Sequence, residues 1–301
     1  MNITLIGYGE VGRILAEDLR KQDLSVTAFD IKLQGEAGEA LRENALLNGV
    51  TLTESHADAV RGAQLVISAV TASQTVAVAQ ACAHGMAPGT FYLDFNSASP
   101  GAKVRAAEFV NAIGGRYVEG AVMTSIQPYR IKVPLLLGGP EAAALVPKLT
   151  AYGFAAKVAS DKLGVASATK MCRSVMIKGL EAMVIESFTT ARAYGVEDAV
   201  IASLTETFPG IDWEKQGSYF FQRVIEHGRR RSEEVREVAE TVRDIGLAPH
   251  SAEGTADRQA WVANLSDSGL FGTKGRPGFA RSTDWRIEAD RILAHVNKKV
   301  I

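Results

Sequence analysis

The sequence is poor in cysteine: Cys82 and Cys172 are the only two among 301 residues, far apart and in no CxxC or metal-ligand spacing. A disulfide framework is excluded, and both are expected to be buried thiols in a reducing compartment. The five histidines, His56, His84, His227, His250 and His295, form no HxxxH or HxH pair, so no metal centre is expected. Excess charge of one sign is also missing. Lys and Arg number 33 against 34 Asp and Glu, so no global field recruits nucleic acid or a membrane and any anion preference must be local. No apolar run approaches a membrane span, and the first strand begins at residue 2 with no room for a leader, so a cytoplasmic protein is expected. A GxSxG elbow is lacking, as is an evident serine, histidine and acid set, which argues against a hydrolase.

The sequence does contain a strand, a glycine turn and a helix at its very start. Asn2-Ile3-Thr4-Leu5-Ile6 runs into Gly7-Tyr8-Gly9-Glu10-Val11-Gly12, after which Ile14, Leu15 and Leu19 recur at helical spacing. A second strand, Ser25 to Phe29, ends on Asp30, at the distance of the acid that closes a dinucleotide fingerprint. Gly7 permits the turn, Gly9 lets backbone amides approach a pyrophosphate, and Gly12 lets helix and strand pack closely. The helix N-terminus holds the phosphates. Asp30 would bond ribose hydroxyls and repel a 2′-phosphate, which favours NAD; Lys32, a cation two residues on, keeps NADP open.

Strands at Gln64–Val70 and Thr90–Asp94, each followed by a helix, continue the alternation of a parallel, doubly wound sheet. Further strands are expected near 117–123, 133–137 and 155–158. After Gly164 the alternation stops. Nothing but Gly179 interrupts a helix from Ala166 to Tyr194, which at 1.5 Å per residue spans about 43 Å. Helical periodicity returns near 197–207, 212–227, 229–246, 252–266 and 284–297, with a glycine-rich loop at 266–282. The organisation expected is a Rossmann-type α/β domain over 1–163 and an all-helical substrate and dimerisation domain over 164–301, joined by the long helix.

Two basic clusters stand out. From Lys162 to Leu180 there are Lys162, Lys170, Arg173 and Lys178 and no acid; Lys170, Ser174 and Lys178 share one broad face. A solvated basic face is the bland reading. The cluster begins where the nucleotide domain ends, however, and domain boundaries favour ligand sites. Burial and an adjacent oxidised nicotinamide both disfavour an ammonium, so a lysine there can take a hydroxyl proton as hydride leaves and return it in reverse. The second cluster, His227-Gly228-Arg229-Arg230-Arg231, reads as the start of a helix, where cations oppose the macrodipole. Either an anionic ligand holds them there, or Arg229 with Glu233 and Arg230 with Glu234 pair along the helix.

On these residues the first 195 or so positions resemble the β-hydroxyacid dehydrogenases, the superfamily of 3-hydroxyisobutyrate and 6-phosphogluconate dehydrogenases and of imine reductases. Gly7–Gly12 is similar to its cofactor motif, Asp94-Phe95-Asn96-Ser97-Ala98-Ser99-Pro100 to its D-x-S-T-x-x-P segment, and Gly164–Lys170 to its G-x-G-x-x-x-K motif. The resemblance implies that Lys170 is the catalytic acid/base and that Asn96, Ser97 and Thr124 orient substrate. It also implies that Val70, Thr71 and Asn96 line the cofactor with Tyr8, Glu10, Val11 and Lys32. Met123-Thr124-Ser125 replaces the family's Ser-Gly-Gly turn for the substrate carboxylate, and Ser174, expected to bind substrate, replaces an asparagine with a shorter reach. The helical half resembles a less characterised branch, in which Lys178 with Arg230 or Arg231 is expected to neutralise substrate charge. A homodimer through the helical domain is implied, with Trp213, Tyr219, Phe220 and Phe221 as interface or as core. The function expected is hydride transfer between NAD(P) and a secondary alcohol of a small anionic 3-hydroxy acid or sugar acid. The alternatives are an imine reductase or other NADP-linked reductase, and a non-catalytic NAD-binding redox sensor.

Overall fold

The computed structural model describes residues 2–279 and 283–297. The strands are β1 (Asn2–Ile6), β2 (Ser25–Phe29), β3 (Thr51–Leu52), β4 (Leu65–Ser68), β5 (Phe91–Asp94), β6 (Arg116–Val122), β7 (Leu135–Gly138) and β8 (Ala156–Ser160). Between them lie α1 (Glu10–Arg20), α2 (Gly38–Asn48), α3 (His56–Val60), α4 (Thr75–Ala83), α5 (Pro100–Ala112) and α6 (Ala142–Ala151). The chain continues through α7 (Val165–Tyr194), α8 (Glu197–Thr207), α9 (Trp213–Arg243), α10 (His250–Asp267) and α11 (Trp285–Asn297). It divides into two compact units, Met1–Cys172 and Arg173–Ile301, and the division falls inside α7 rather than between 163 and 164.

In the first unit the eight strands form one sheet in the order β3-β2-β1-β4-β5-β6-β7-β8. β1 to β6 run parallel; β7 is antiparallel to β6, and β8 is parallel to β7, so the last two strands reverse the sheet. Strands covered on both faces read as unbroken apolar runs, and Leu65, Val66, Ile67 and Ser68 of β4 are all buried. The order changes direction between β1 and β4, so the carboxyl ends of these two strands form the switch point where open α/β sheets bind ligands. The turns after β1, β4, β5 and β6 therefore line up along one edge.

The second unit is helical and has its own core, in which Phe188, Phe221, Val224, Val262, Phe271 and Trp285 are buried together. Trp213 and Phe220 join this core, whereas Tyr219 is half exposed; three of the four aromatic residues offered as interface or core are thus core. The expected break in α9 at Gly228 does not occur. Gly228 packs against α10, where a Cβ would lie 2.9 Å from the Gln259 carbonyl oxygen, so the glycine permits a close helix contact and ends nothing. Of the two cysteines, Cys82 is buried, with its thiol pushed up to about 12 by burial, and Cys172 is exposed rather than buried.

Candidate functional site

The glycine turn sits at the switch point. Gly7 has φ +97°, and a Cβ there would lie 2.5 Å from the Ala69 carbonyl oxygen; a Cβ on Gly12 would overlap the Gly7 carbonyl. Gly9 is the exception, since a Cβ there would meet nothing within 4 Å. Two glycines close the turn and the third leaves open room over it, the arrangement a diphosphate needs. Tyr8 turns its ring into the core and donates its hydroxyl to Asn44 Oδ1 at 2.9 Å, with burial raising its pKa to about 12. Only its backbone belongs to the turn. The Tyr8 N–H donates to Asp30 Oδ2 (2.8 Å) and the Lys32 N–H to Asp30 Oδ1 (2.9 Å), which fixes the carboxylate at the end of β2 with lone pairs to spare. Glu10 and Val11 open α1, and Glu10 Oε1 accepts from Gln127 Nε2 at 3.2 Å.

Val70 and Thr71 follow β4, on the neighbouring turn. Asn96 is buried and works inward: Oδ1 accepts from the Val70 N–H (2.8 Å) and Nδ2 donates to Ser68 Oγ (3.1 Å). Its amide thus braces the β4 and β5 ends together. Next to it, Ser97 Oγ receives a hydrogen bond from Lys170 Nζ at 2.5 Å. Lys170 is half-buried in the second turn of α7. Thr124 is exposed just beyond β6, and Ser174, four residues after Lys170, is buried. The loop holding Thr124 is strapped to α1: Arg130, at φ +52°, donates to Asp18 and Glu17, and the Ile131 N–H donates to Asp18 Oδ2.

Lys178 and the arginines of the second cluster have carboxylate partners. Lys178 Nζ donates to Glu234 Oε2 at 2.6 Å, and Arg230 donates to Oε1 of the same carboxylate at 2.7 Å. Arg231 is buried in an ion pair with the buried Glu181. Arg229 pairs with Asp267 rather than Glu233. Burial holds the Lys178 amine below the usual lysine range, against the opposing pull of Glu234. Because α9 is continuous, the arginines lie mid-helix and the macrodipole argument for an anionic ligand fails. Lys178, Arg230 and Arg231 thus share two carboxylates, Glu234 and Glu181, within their own unit.

Sequence reasoning passed over a buried polar group beneath the Ser97 loop. Asp94 and Lys103 are both fully buried and form an ion pair at 2.8 Å; Tyr117 donates to Asp94 Oδ2 at 2.6 Å and the Asn96 N–H to Oδ1 at 2.9 Å. Burial and the Asp94 charge push the Tyr117 phenol well above its usual range. On β6, Glu119 is also fully buried and accepts from the Ala166 N–H and the Ser167 hydroxyl at the start of α7. The signal was present: an acid inside the apolar run Tyr117–Val122 must find partners if the strand is central.

A glycine cradle at a switch point, an anchored acid at the end of β2 and a lysine meeting a serine at the same sheet edge define a dinucleotide-binding protein of the dehydrogenase type. Residues 2–148 match the NAD binding domain of 6-phosphogluconate dehydrogenase, and residues 191–262 match a domain of unknown function, DUF1932. A conserved hypothetical protein from Sinorhizobium meliloti 1021 is 35% identical, covering 97% of this chain and 96% of that one, with a TM-score of 0.74. An uncharacterized 28.5 kDa protein of Methanothermus fervidus is 29% identical over 252 residues, 83% of this chain and 94% of its own. The 3-hydroxyisobutyrate dehydrogenase of Mycobacterium tuberculosis, solved with L-serine, shares the fold at 15% identity, 96% and 99% coverage and a TM-score of 0.71. The chain belongs to the β-hydroxyacid dehydrogenase superfamily, in a branch with a helical second half. It is an oxidoreductase in class, and its cofactor is NAD(P).

Proposed function

We propose that the protein transfers hydride between NAD and a secondary alcohol of a 3-hydroxy acid or sugar acid, with Lys170 as general acid/base. The observation that carries this reading is the 2.5 Å hydrogen bond from Lys170 Nζ to Ser97 Oγ at the edge of the sheet that bears the glycine turn. A lysine aimed at a fixed hydroxyl oxygen is aimed at the kind of atom it would have to deprotonate. When bound, the nicotinamide supplies the hydride acceptor or donor. In the oxidative direction the neutral Lys170 amine takes the proton of the substrate hydroxyl, and in the reductive direction its ammonium returns it. Ser97 fixes the amine and orients the hydroxyl, Asn96 keeps the loop in place from within, and Thr124 meets the substrate from the loop after β6.

NAD is favoured because the Asp30 carboxylate, held by two backbone amides, bonds ribose hydroxyls and repels a 2′-phosphate. The substrate class follows the hydroxy acids of the dehydrogenases that share the fold. Association of two copies through the helical unit, whose Met176, Met183 and Tyr219 are exposed, belongs to the same proposal and is read by light scattering. The test is NAD and NADP reduction across 3-hydroxy acids, sugar acids and their phosphates, with cyclic amines and imines alongside. Turnover of a hydroxy acid with NAD preferred supports the proposal. Turnover confined to amines or imines, or binding of NAD without turnover of anything, overturns it.

A further inference from the structure

Two buried carboxylates sit side by side in the sheet: Asp94 of β5 and Glu119 of β6 are register partners. Asp94 receives the Asn96 N–H and so holds the loop that carries Ser97. Glu119 holds the other partner of the site. Its Oε1 accepts from the Ala166 N–H at 2.9 Å and its Oε2 from Ser167 Oγ at 2.8 Å, in the first turn of the helix whose second turn carries Lys170.

Three features mark this as a built contact. Glu119 is fully buried, and among the described residues no lysine or arginine pairs with it. Its charge is met instead by the unsatisfied amides and positive end of α7, the place where an anion is stabilised. Room for the carboxylate comes from Gly138, its register partner on β7, where a Cβ would overlap Oε1. A charge of this kind inside a central strand is costly unless both oxygens are satisfied, and here each oxygen has a donor from the helix start.

We infer that Glu119 is the positioning residue for Lys170: by gripping Ala166 and Ser167 it fixes the start of α7, and through it where the amine one turn later meets Ser97. The inference rests on the proposed role of Lys170, but its test does not depend on turnover. The readouts are amide hydrogen exchange of the 165–171 segment and the rate at which acetic anhydride acetylates Lys170, both by mass spectrometry on the full chain, with exposed Lys148 and Lys157 as internal controls.

In Glu119→Ala, exchange in that segment and acetylation of Lys170 are each expected to rise about tenfold or more, the loss of a hydrogen bond to a charged acceptor. The control lysines and NAD binding stay within about twofold of wild type on the same reasoning, since neither depends on that bond. Glu119→Gln keeps an acceptor for the Ala166 N–H and a donor toward Ser167, and restores protection. Ser167→Ala removes one of the two bonds with little risk to the fold and gives a smaller rise in the same direction; it decides alone if Glu119→Ala does not fold. Unchanged Lys170 labelling in Ser167→Ala and in a folded Glu119→Ala, equal loss in the Ala and Gln variants, or a rise shared by every lysine overturns the inference. Lys170→Ala that keeps full turnover defeats the acid/base reading and leaves this result standing.

Discussion

Lys103→Met tests whether the group under the Ser97 loop holds this end of the sheet. Lys103 Nζ bonds Asp94 Oδ1 at 2.8 Å and the Asp94 carbonyl at 2.9 Å, with the Gly120 carbonyl at 3.5 Å, and neither charge reaches solvent. Removing one partner of a buried pair typically costs about 3–5 kcal/mol, because the other charge stays behind. Asp94 would keep its bonds from Tyr117 and the Asn96 N–H, so the low end, about 3 kcal/mol, is expected. For a unit of this size that is a fall of roughly 10 °C in Tm. The assay is thermal unfolding by circular dichroism of Lys103→Met beside Asp94→Leu/Lys103→Met. The double variant should recover part of the loss, since it leaves no lone charge, though it strands the Tyr117 hydroxyl and the Asn96 N–H. A Tm within about 3 °C of wild type for Lys103→Met, equivalent to about 1 kcal/mol, would refute the reasoning, as would a double variant worse than the single.

The glycine turn gives a contrasting pair. Gly9→Ala should fold with an unchanged Tm yet weaken NAD binding by about tenfold or more, because its Cβ enters the space over the turn; Gly12→Ala should lower Tm because its Cβ meets backbone. Titration of NAD against both variants checks this, and equal behaviour of the two would count against the cradle. Acid stability should report the Arg130 strap. Burial pushes the Asp18 carboxyl up, but hydrogen bonds from Arg130, the Ile131 N–H and Lys21 outweigh it and hold its pKa below 3.8. A carboxyl depressed on folding contributes stability above pH 3.8 that is lost as pH falls through the lower folded value. Arg130→Met should therefore flatten the decline of Tm below pH 3.8, and an unaltered slope would exclude the strap as its source. Arg230→Ala should leave Tm within about 2 °C, since a surface i,i+4 pair contributes well under 1 kcal/mol, and should leave KM for an anionic substrate little changed if Glu234 alone engages the guanidinium; a tenfold rise in KM would place Arg230 at the substrate site.

The sequence made the cofactor half of the site legible because that half is local. Gly7, Gly9, Gly12 and Asp30 lie within one strand, turn, helix and strand unit, and their spacing carries the geometry. Short apolar runs carry no direction, however, so nothing in Val133–Leu137 or Ala155–Val158 announced that β7 and β8 reverse the sheet. The charge partners in the helical unit are equally hidden. The acid that pairs with Lys178 is Glu234, 56 residues away, and a local count of charges cannot find it. Gly228 suggests a helix break because a glycine that ends a helix and one that admits a neighbouring helix look alike in sequence. The role of Glu119 is hidden because its partners are a backbone amide and a serine at the start of a distant helix, although an acid in the middle of an apolar strand is itself a signal.

The central claim is that Lys170 moves the proton, and it is tested most directly by measuring NAD affinity and turnover on one preparation of Lys170→Ala. The account predicts NAD affinity within about twofold of wild type, since the glycine turn is untouched, and turnover of the best hydroxy acid reduced by about 10²–10⁴-fold, the usual share of a general acid/base. Turnover retained with affinity intact would contradict it.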